Sequence, residues 1–128
     1  MEDCLGEACG LFGAYDYGGG EIFSSLYWGM ISQNHRGHQS YGFVSYDDGF
    51  HSESGLGLLP VSDEGSDKGP EELEGSIGIG HVRYATSGER GRLDIQPYID
   101  RTENYKIAIG YNGNLVNNKE LRGVGKEI

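Results

Sequence analysis

The stretch SIGIGHVRYATSG, residues 76–88, begins as a strand and ends as a polar loop. In its first half, Ile77 and Ile79 alternate with Gly78 and Gly80, the period-two pattern of a strand with one nearly bare face. Its second half carries charged, aromatic and hydroxyl side chains and closes on a glycine. Rigid scaffolds place functional groups in such loops, so we expect this strand end to carry chemistry.

On both sides of this stretch, apolar periodicity and turn residues place the remaining elements. The Asp47-Asp48-Gly49 turn is a strong hairpin signal. A helical turn is predicted to open at Pro70-Glu71-Glu72-Leu73. The further predictions are strands at 9–15, 41–46, 50–54 and 105–111, and helices at 21–32 and 115–121. Strands and helices come in blocks, which favours an α+β fold over alternating βαβ units.

Composition narrows the class of protein. The chain has 128 residues, 23 of them glycine, and a formal net charge of −10. That charge argues against nucleic acid or an anionic membrane as a partner, because both require a basic face. No apolar run reaches 18 residues, and the acidic start Met1-Glu2-Asp3 is no secretory signal. Cys4 and Cys9 do not form a disulfide framework, which favours a reduced, cytoplasmic protein.

Three more glycine-containing stretches place polar groups at strand ends or turns. They are CGLFG (residues 9–13), HRG (35–37) and YNGNL (111–115). Together with residues 80–88, and in this order, they resemble the glutamine-hydrolysing domain of amidophosphoribosyltransferases. That domain belongs to the N-terminal-nucleophile, or class II, glutamine amidotransferases. The resemblance runs from about residue 8 to residue 121, and sister families such as glucosamine-phosphate synthase usually carry Trp where Tyr84 stands here.

The resemblance implies a four-layer αββα sandwich, in which helices cover two antiparallel sheets. This chain is expected to supply about the first half of it. Residues 1–8 would be a leader, or propeptide, and residues 9–128 a partial glutamine amidotransferase type 2 domain. A half sandwich leaves apolar sheet faces in water, so a missing C-terminal segment, a partner chain or a second copy should cover it.

In this family the nucleophile is a cysteine with a free α-amino group, and Cys9 matches it. Removal of residues 1–8 would release that amine, whose ordinary pKa of about 7.7–8.0 suits it to accept the thiol proton. While the leader is attached, the same nitrogen is an amide and cannot act as a base. The alternative reading is that Cys9 is a buried structural thiol.

The resemblance also assigns the groups around the substrate, glutamine. Asn112 and the Gly113 N–H would form the oxyanion hole, although an Asn-Gly pair is also an ordinary turn. Arg83 would bind the α-carboxylate, because its planar fork suits a carboxylate. Tyr84 and Thr86 would line the glutamine site. Arg36 would hold the site together around the nucleophile. For Arg83 and Arg36 the alternative is a surface ion pair.

Two features limit the resemblance. The family's Ser-Asp-Thr/Ser-Glu motif, whose Asp binds the glutamine α-amine, has no counterpart in this sequence. The phosphoribosyltransferase domain has none either, and magnesium is expected only with that domain. No cofactor or metal is predicted here, since His35 and His38 are not joined by further ligands.

Three functions are compatible with this sequence. The first is the glutaminase half of an amidophosphoribosyltransferase, weakly active or inactive when isolated, which would serve the first step of purine nucleotide synthesis. The second is a non-catalytic half-domain or remnant that binds a partner chain. The third is the glutaminase domain of another class II amidotransferase, against which the HVRY stretch argues.

Overall fold

A four-stranded antiparallel sheet forms the centre of the computed structural model, which describes residues 9–34, 39–61, 72–83, 95–113, 117 and 119–121. Its elements in chain order are β1 (Gly10–Tyr15), α1 (Phe23–Ile31), β2 (Ser40–Tyr46), β3 (Phe50–Leu56), β4 (Ile77–Arg83), β5 (Tyr98–Arg101) and β6 (Lys106–Ile109). The sheet has the strand order β1-β4-β2-β3, and β5 and β6 form a separate antiparallel pair.

Most of the predicted elements are confirmed. The helix, the strand before it, the β2–β3 hairpin and β4 lie within one or two residues of their predicted bounds. Three elements differ from the prediction. β5 was not predicted, and β6 is shorter than the predicted strand at 105–111. Glu72 and Leu73 are irregular rather than helical. Leu73 is instead buried in the core, so tertiary packing outweighs the local helical signal there.

The face of β4 that carries Gly78 and Gly80 is the face that α1 covers. A Cβ added at Gly78 would lie 2.8 Å from Ile22 Cδ1, and one added at Gly80 would lie 2.7 Å from Met30 Cγ. Leu26 and Met30 are fully buried there. The two glycines therefore let the helix approach the sheet more closely than a strand with side chains would allow.

The opposite face of β4 looks toward the β5–β6 hairpin. A Cβ at Gly110, just after β6, would contact the side chains of Leu11 and Ile79. A cavity of about 650 Å³ remains between the hairpin and the sheet, lined by residues of β2, β4 and the 102–108 segment. Ile107 and Ile109 stay exposed. The described residues thus form a helix layer, a central sheet and a second, sparsely packed sheet, as the α+β expectation requires.

Substituting Gly78 tests the close approach of helix and sheet. Gly78→Ala should lower the free energy of unfolding by about 1–3 kcal/mol, because the added methyl would meet Ile22 and the Val44 carbonyl. Gly13→Ala is the matched control. It lies in β1 with only ordinary contacts at 3.7 Å, and should be neutral or stabilising by up to about 1 kcal/mol. Urea unfolding of both variants measures this, and equal losses of stability would contradict the packing argument.

Candidate functional site

The predicted site residues that the structure describes gather at one end of the central sheet. Gly10 at the start of β1 pairs with Val82 near the end of β4, and Ser40 at the start of β2 pairs with Arg83. Cys9 immediately precedes Gly10, so the thiol-bearing residue and Arg83 lie at the same sheet end. Antiparallel pairing, not proximity in sequence, brings them together.

Asn112 reaches the same place from the far end of the described chain. Its side-chain Nδ2 donates a hydrogen bond to the Cys9 carbonyl oxygen at 2.9 Å, across 103 positions of sequence. Cys9 is half-buried and its thiol is free, while Asn112 and Gly113 are exposed. A carboxamide has two N–H groups, so one remains for a further acceptor. The structure thus joins the predicted nucleophile to one of the two predicted oxyanion donors.

Side chains hold the backbone on both sides of this contact. Gln33, beyond the end of α1, accepts from the Leu11 N–H at 3.2 Å and donates to the Leu11 carbonyl at 3.3 Å. The Tyr111 N–H donates to Gln96 Oε1 at 2.7 Å, and His81 Nε2 donates to the Tyr111 carbonyl at 3.1 Å. Sequence reasoning assigned no role to these three side chains, because their partners are backbone atoms far away in sequence.

His81 is a buried polar side chain in the middle of the sheet, with 1% of its surface exposed. Burial lowers the pKa of His81 below its ordinary 6.5 and Arg83 lowers it further, while the hydrogen bond to Tyr111 acts in the opposite direction. Its Nδ1 has no hydrogen-bond partner among the described residues. These features describe a neutral imidazole with its proton on Nε2, since that nitrogen faces a carbonyl.

The remaining predicted residues divide into two groups. Arg83 is half-buried at the end of β4, and its backbone carbonyl accepts from the Gln39 N–H. Arg36, Tyr84 and Thr86 lie outside the described residues, so their predicted roles stay predictions.

A second group of titratable side chains lies at the other end of the sheet. Ligand atoms of Asp47, His51 and Glu74 lie within 4.8 Å of one another and could hold a metal ion. The Asp47 carboxylate is already engaged, since its Oδ1 accepts from the Asp48 and Gly49 N–H groups and lies 2.9 Å from His51 Nε2. The hydrogen bond with His51 is the main cause that lowers the pKa of Asp47. This group lies beyond Tyr46, at the opposite end of β2 from Arg83.

Comparison with known proteins agrees with the resemblance. The chain is 37% identical over 115 residues to the amidophosphoribosyltransferase of Methanocaldococcus jannaschii, covering 89% of this chain and 24% of that protein. It is 41% identical over 120 residues to the amidophosphoribosyltransferase of Staphylococcus aureus strain Mu50, with 92% and 24% covered. The chain belongs with the N-terminal part of the amidophosphoribosyltransferase family. It spans about a quarter of the length of these relatives.

Solved structures show the same relationship. The glutamine phosphoribosylpyrophosphate amidotransferase of B. subtilis, complexed with ADP and GMP, aligns with a TM-score of 0.67 at 32% identity, covering 94% of this chain and 24% of its own. A structure described as the allosteric regulatory enzyme of purine biosynthesis aligns with a TM-score of 0.74 at 32% identity, covering 91% and 25%. The fold predicted from the amidophosphoribosyltransferase resemblance is thereby confirmed.

No protein-family model matches the chain. Among the described residues, no helix combines the length and apolar character needed to span a membrane.

Mild acid should destabilise the fold through His81. Because its folded pKa is below 6.5, the unfolded chain takes up the proton first as the pH falls. This contribution to stability is complete above pH 6.5 and is lost between there and the folded pKa, at up to about 1.4 kcal/mol per pH unit. The residues paired with His81, Leu11 and Gly42, are uncharged, and Arg83 on its own strand acts in the same direction.

Urea unfolding between pH 7.5 and 5.5 measures this dependence. In the His81→Gln variant, the part of the pH-dependent loss of stability that His81 causes should vanish, since an amide does not titrate. An identical pH slope in the two proteins would show that His81 is not the group responsible.

Proposed function

We propose that this chain is the glutamine-hydrolysing part of an amidophosphoribosyltransferase. It would release ammonia from glutamine for transfer to phosphoribosylpyrophosphate, the reaction that opens purine nucleotide synthesis. The observation that carries the proposal is the hydrogen bond from Asn112 to the Cys9 carbonyl. It supports a site in which a thiol and a carboxamide donor face the same reacting atom. The similarity to proteins named amidophosphoribosyltransferase supports the reaction class.

The first chemical step would use the Cys9 thiol and the α-amine of the same residue. After removal of residues 1–8, the amine takes the thiol proton and the thiolate attacks the side-chain amide carbon of glutamine. The C–N bond then breaks, the amine returns its proton to the leaving nitrogen, and ammonia departs. Water cleaves the resulting thioester, which gives glutamate and restores the thiol. Before that removal, the nitrogen is part of a peptide bond and holds no basic lone pair.

Negative charge develops on the amide oxygen during the attack, and fixed donors must meet it. Asn112 is suited to this task because its carboxamide is already placed beside Cys9. The backbone N–H of Gly113 would be the second donor. A Cβ at Gly113 would lie 2.6 Å from the Tyr111 hydroxyl oxygen, so a larger residue would force that ring to move.

Recognition of glutamine would fall to residues around the end of β4. Arg83 would bind the α-carboxylate there, Tyr84 and Thr86 would line the site, and Arg36 would stabilise it around the nucleophile. No motif in this sequence matches the family's amine-binding Asp. We propose that this contact comes from a further segment or a partner chain.

The same completing segment would cover the apolar side chains that β6 exposes. Magnesium and phosphoribosylpyrophosphate would belong to a phosphoribosyltransferase part of the whole protein. A cytoplasmic location is part of the proposal.

Covalent labelling of Cys9 tests the nucleophile. A diazoketone analogue of glutamine should add once to the purified chain, and intact mass should show a product that starts at Cys9. Cys9→Ser should keep the fold and lose the adduct, because the hydroxyl is a far weaker nucleophile. A parent chain that is uncut and unlabelled would favour the non-catalytic half-domain instead, and a serine variant that labels equally would exclude Cys9.

Removing the carboxamide tests the oxyanion hole. Asn112→Ala should lower the labelling rate about 100- to 1,000-fold, the usual cost of one oxyanion donor. Asn104→Ala is the matched control, because Asn104 is exposed in the turn between β5 and β6, at the opposite end of β6 from Asn112. Labelling of that variant should equal that of the parent. A similar loss in both variants would point to general unfolding rather than to a missing donor.

A further inference from the structure

Tyr111 occupies a position where strand pairing has ended. β6 stops at Ile109, and its partner strand β5 begins at Tyr98, which pairs with Ile109. The two peptide groups flanking Tyr111 therefore have no sheet partners, and two side chains take that place. Gln96 Oε1 accepts from the Tyr111 N–H at 2.7 Å, and His81 Nε2 donates to its carbonyl at 3.1 Å.

These two side chains come from separate, well-anchored parts of the fold. His81 lies in the interior strand β4, paired with Leu11 on one side and Gly42 on the other, and is buried. Gln96 lies against β2, because a Cβ at Gly42 would clash with the Gln96 carbonyl oxygen. Both anchors are thus fixed to the central sheet, and through them the Tyr111 backbone is fixed to it as well.

The residue that follows is Asn112, which contacts Cys9. The Tyr111 carbonyl belongs to the peptide that leads into Asn112, so fixing this plane limits where the Asn112 side chain can point. We propose that His81 and Gln96 are positioning residues that hold the Tyr111 backbone and so keep the Asn112 carboxamide at Cys9. The catalytic part of this inference rests on the proposed function, and the structural part does not.

The His81 imidazole suits this task because it makes a single polar contact among the described residues. Its Nδ1 has no partner among the described residues, so the ring has one polar contact there and its orientation is set by Tyr111. A glutamine at this position places an N–H near the Nε2 position, whereas leucine has no donor. His81→Gln should therefore preserve the contact and His81→Leu should abolish it. Likewise, Gln96→Glu keeps an acceptor oxygen and Gln96→Met removes it.

The structural readouts are amide hydrogen exchange at Tyr111 and the NMR signals of the Asn112 side-chain NH₂ group in the full chain. Gln96→Met should speed exchange at Tyr111 by at least about tenfold, because its acceptor is gone. His81→Leu should shift the Asn112 signals toward those of an unconstrained carboxamide. His81→Gln and Gln96→Glu should resemble the parent.

The functional readout is the rate of Cys9 labelling by the glutamine analogue. His81→Leu and Gln96→Met should each lower it about 10- to 100-fold, as small misplacements of a reacting group do. Reaction with iodoacetamide, which needs no oxyanion donor, should change less than about threefold. Ser45→Ala is the matched control. It removes a buried side-chain hydrogen bond to the Glu74 carbonyl at the other end of β2, and should lower stability without changing the labelling rate.

The outcomes separate the two proposals. A parent chain that cannot be labelled overturns the proposed function, and Tyr111 exchange and the Asn112 signals then decide the structural claim alone. The positioning role is wrong if His81→Leu and Gln96→Met leave Tyr111 amide exchange, the Asn112 side-chain signals and the labelling rate as in the parent. The positioning role would also be wrong if His81→Gln lowered the labelling rate as much as His81→Leu. Loss of the N–H donor would then not explain the effect.

Discussion

The close contact between α1 and β4 is the constraint on which the rest of the structure depends. Gly78 and Gly80 present no side chains, so Leu26 and Met30 pack directly onto the strand backbone. This contact sets the distance of the helix from the sheet and buries Leu26 and Met30 completely, and burial of apolar surface drives folding. A core rich in glycine remains viable here because large side chains on the helix fill the space that the strand leaves empty.

Because α1 covers only one face of the sheet, the two faces are packed unequally. One face is closed by α1, whereas the other meets a short hairpin across a cavity of about 650 Å³. Burial in a low-dielectric interior strengthens hydrogen bonds, and the hydrogen bond from His81 to Tyr111 lies on this second side. The candidate site therefore forms where the well-packed sheet meets the sparsely packed hairpin, with rigid strands on one side and a backbone held by side chains on the other.

The site illustrates how donors can be placed precisely on an irregular segment. Tyr111 has no strand partner, yet its N–H and its carbonyl both have side-chain partners, as most backbone polar groups of folded proteins have some partner. Gln33 does the same for Leu11 next to Cys9. Such contacts cost side-chain entropy. Their benefit is that the Asn112 carboxamide stays beside the Cys9 backbone although no strand pairing joins the two segments there.

Local pattern predicted the helix and five of the six described strands, although β6 is shorter than predicted. It could do so because periodicity of apolar residues and the Asp-Asp-Gly turn are properties of adjacent residues. Motifs also singled out Cys9, Asn112 and Arg83, whose roles in the site stay predictions. Local pattern missed β5, whose four residues carry little alternation and are strand-like only when paired with β6. The other site residues predicted from motifs, Arg36, Tyr84 and Thr86, lie outside the part of the chain that the structure describes.

The sequence by itself determined the class of fold, the family and which residue types gather in glycine-containing turns. Only the tertiary structure decided that the bare face of β4 receives the helix, that Asn112 contacts the Cys9 carbonyl, and that His81 and Gln96 hold the intervening backbone. The physical reason is the same in each case. These contacts join atoms far apart in the chain, often through backbone groups that every residue carries, so no spacing of side-chain types encodes them.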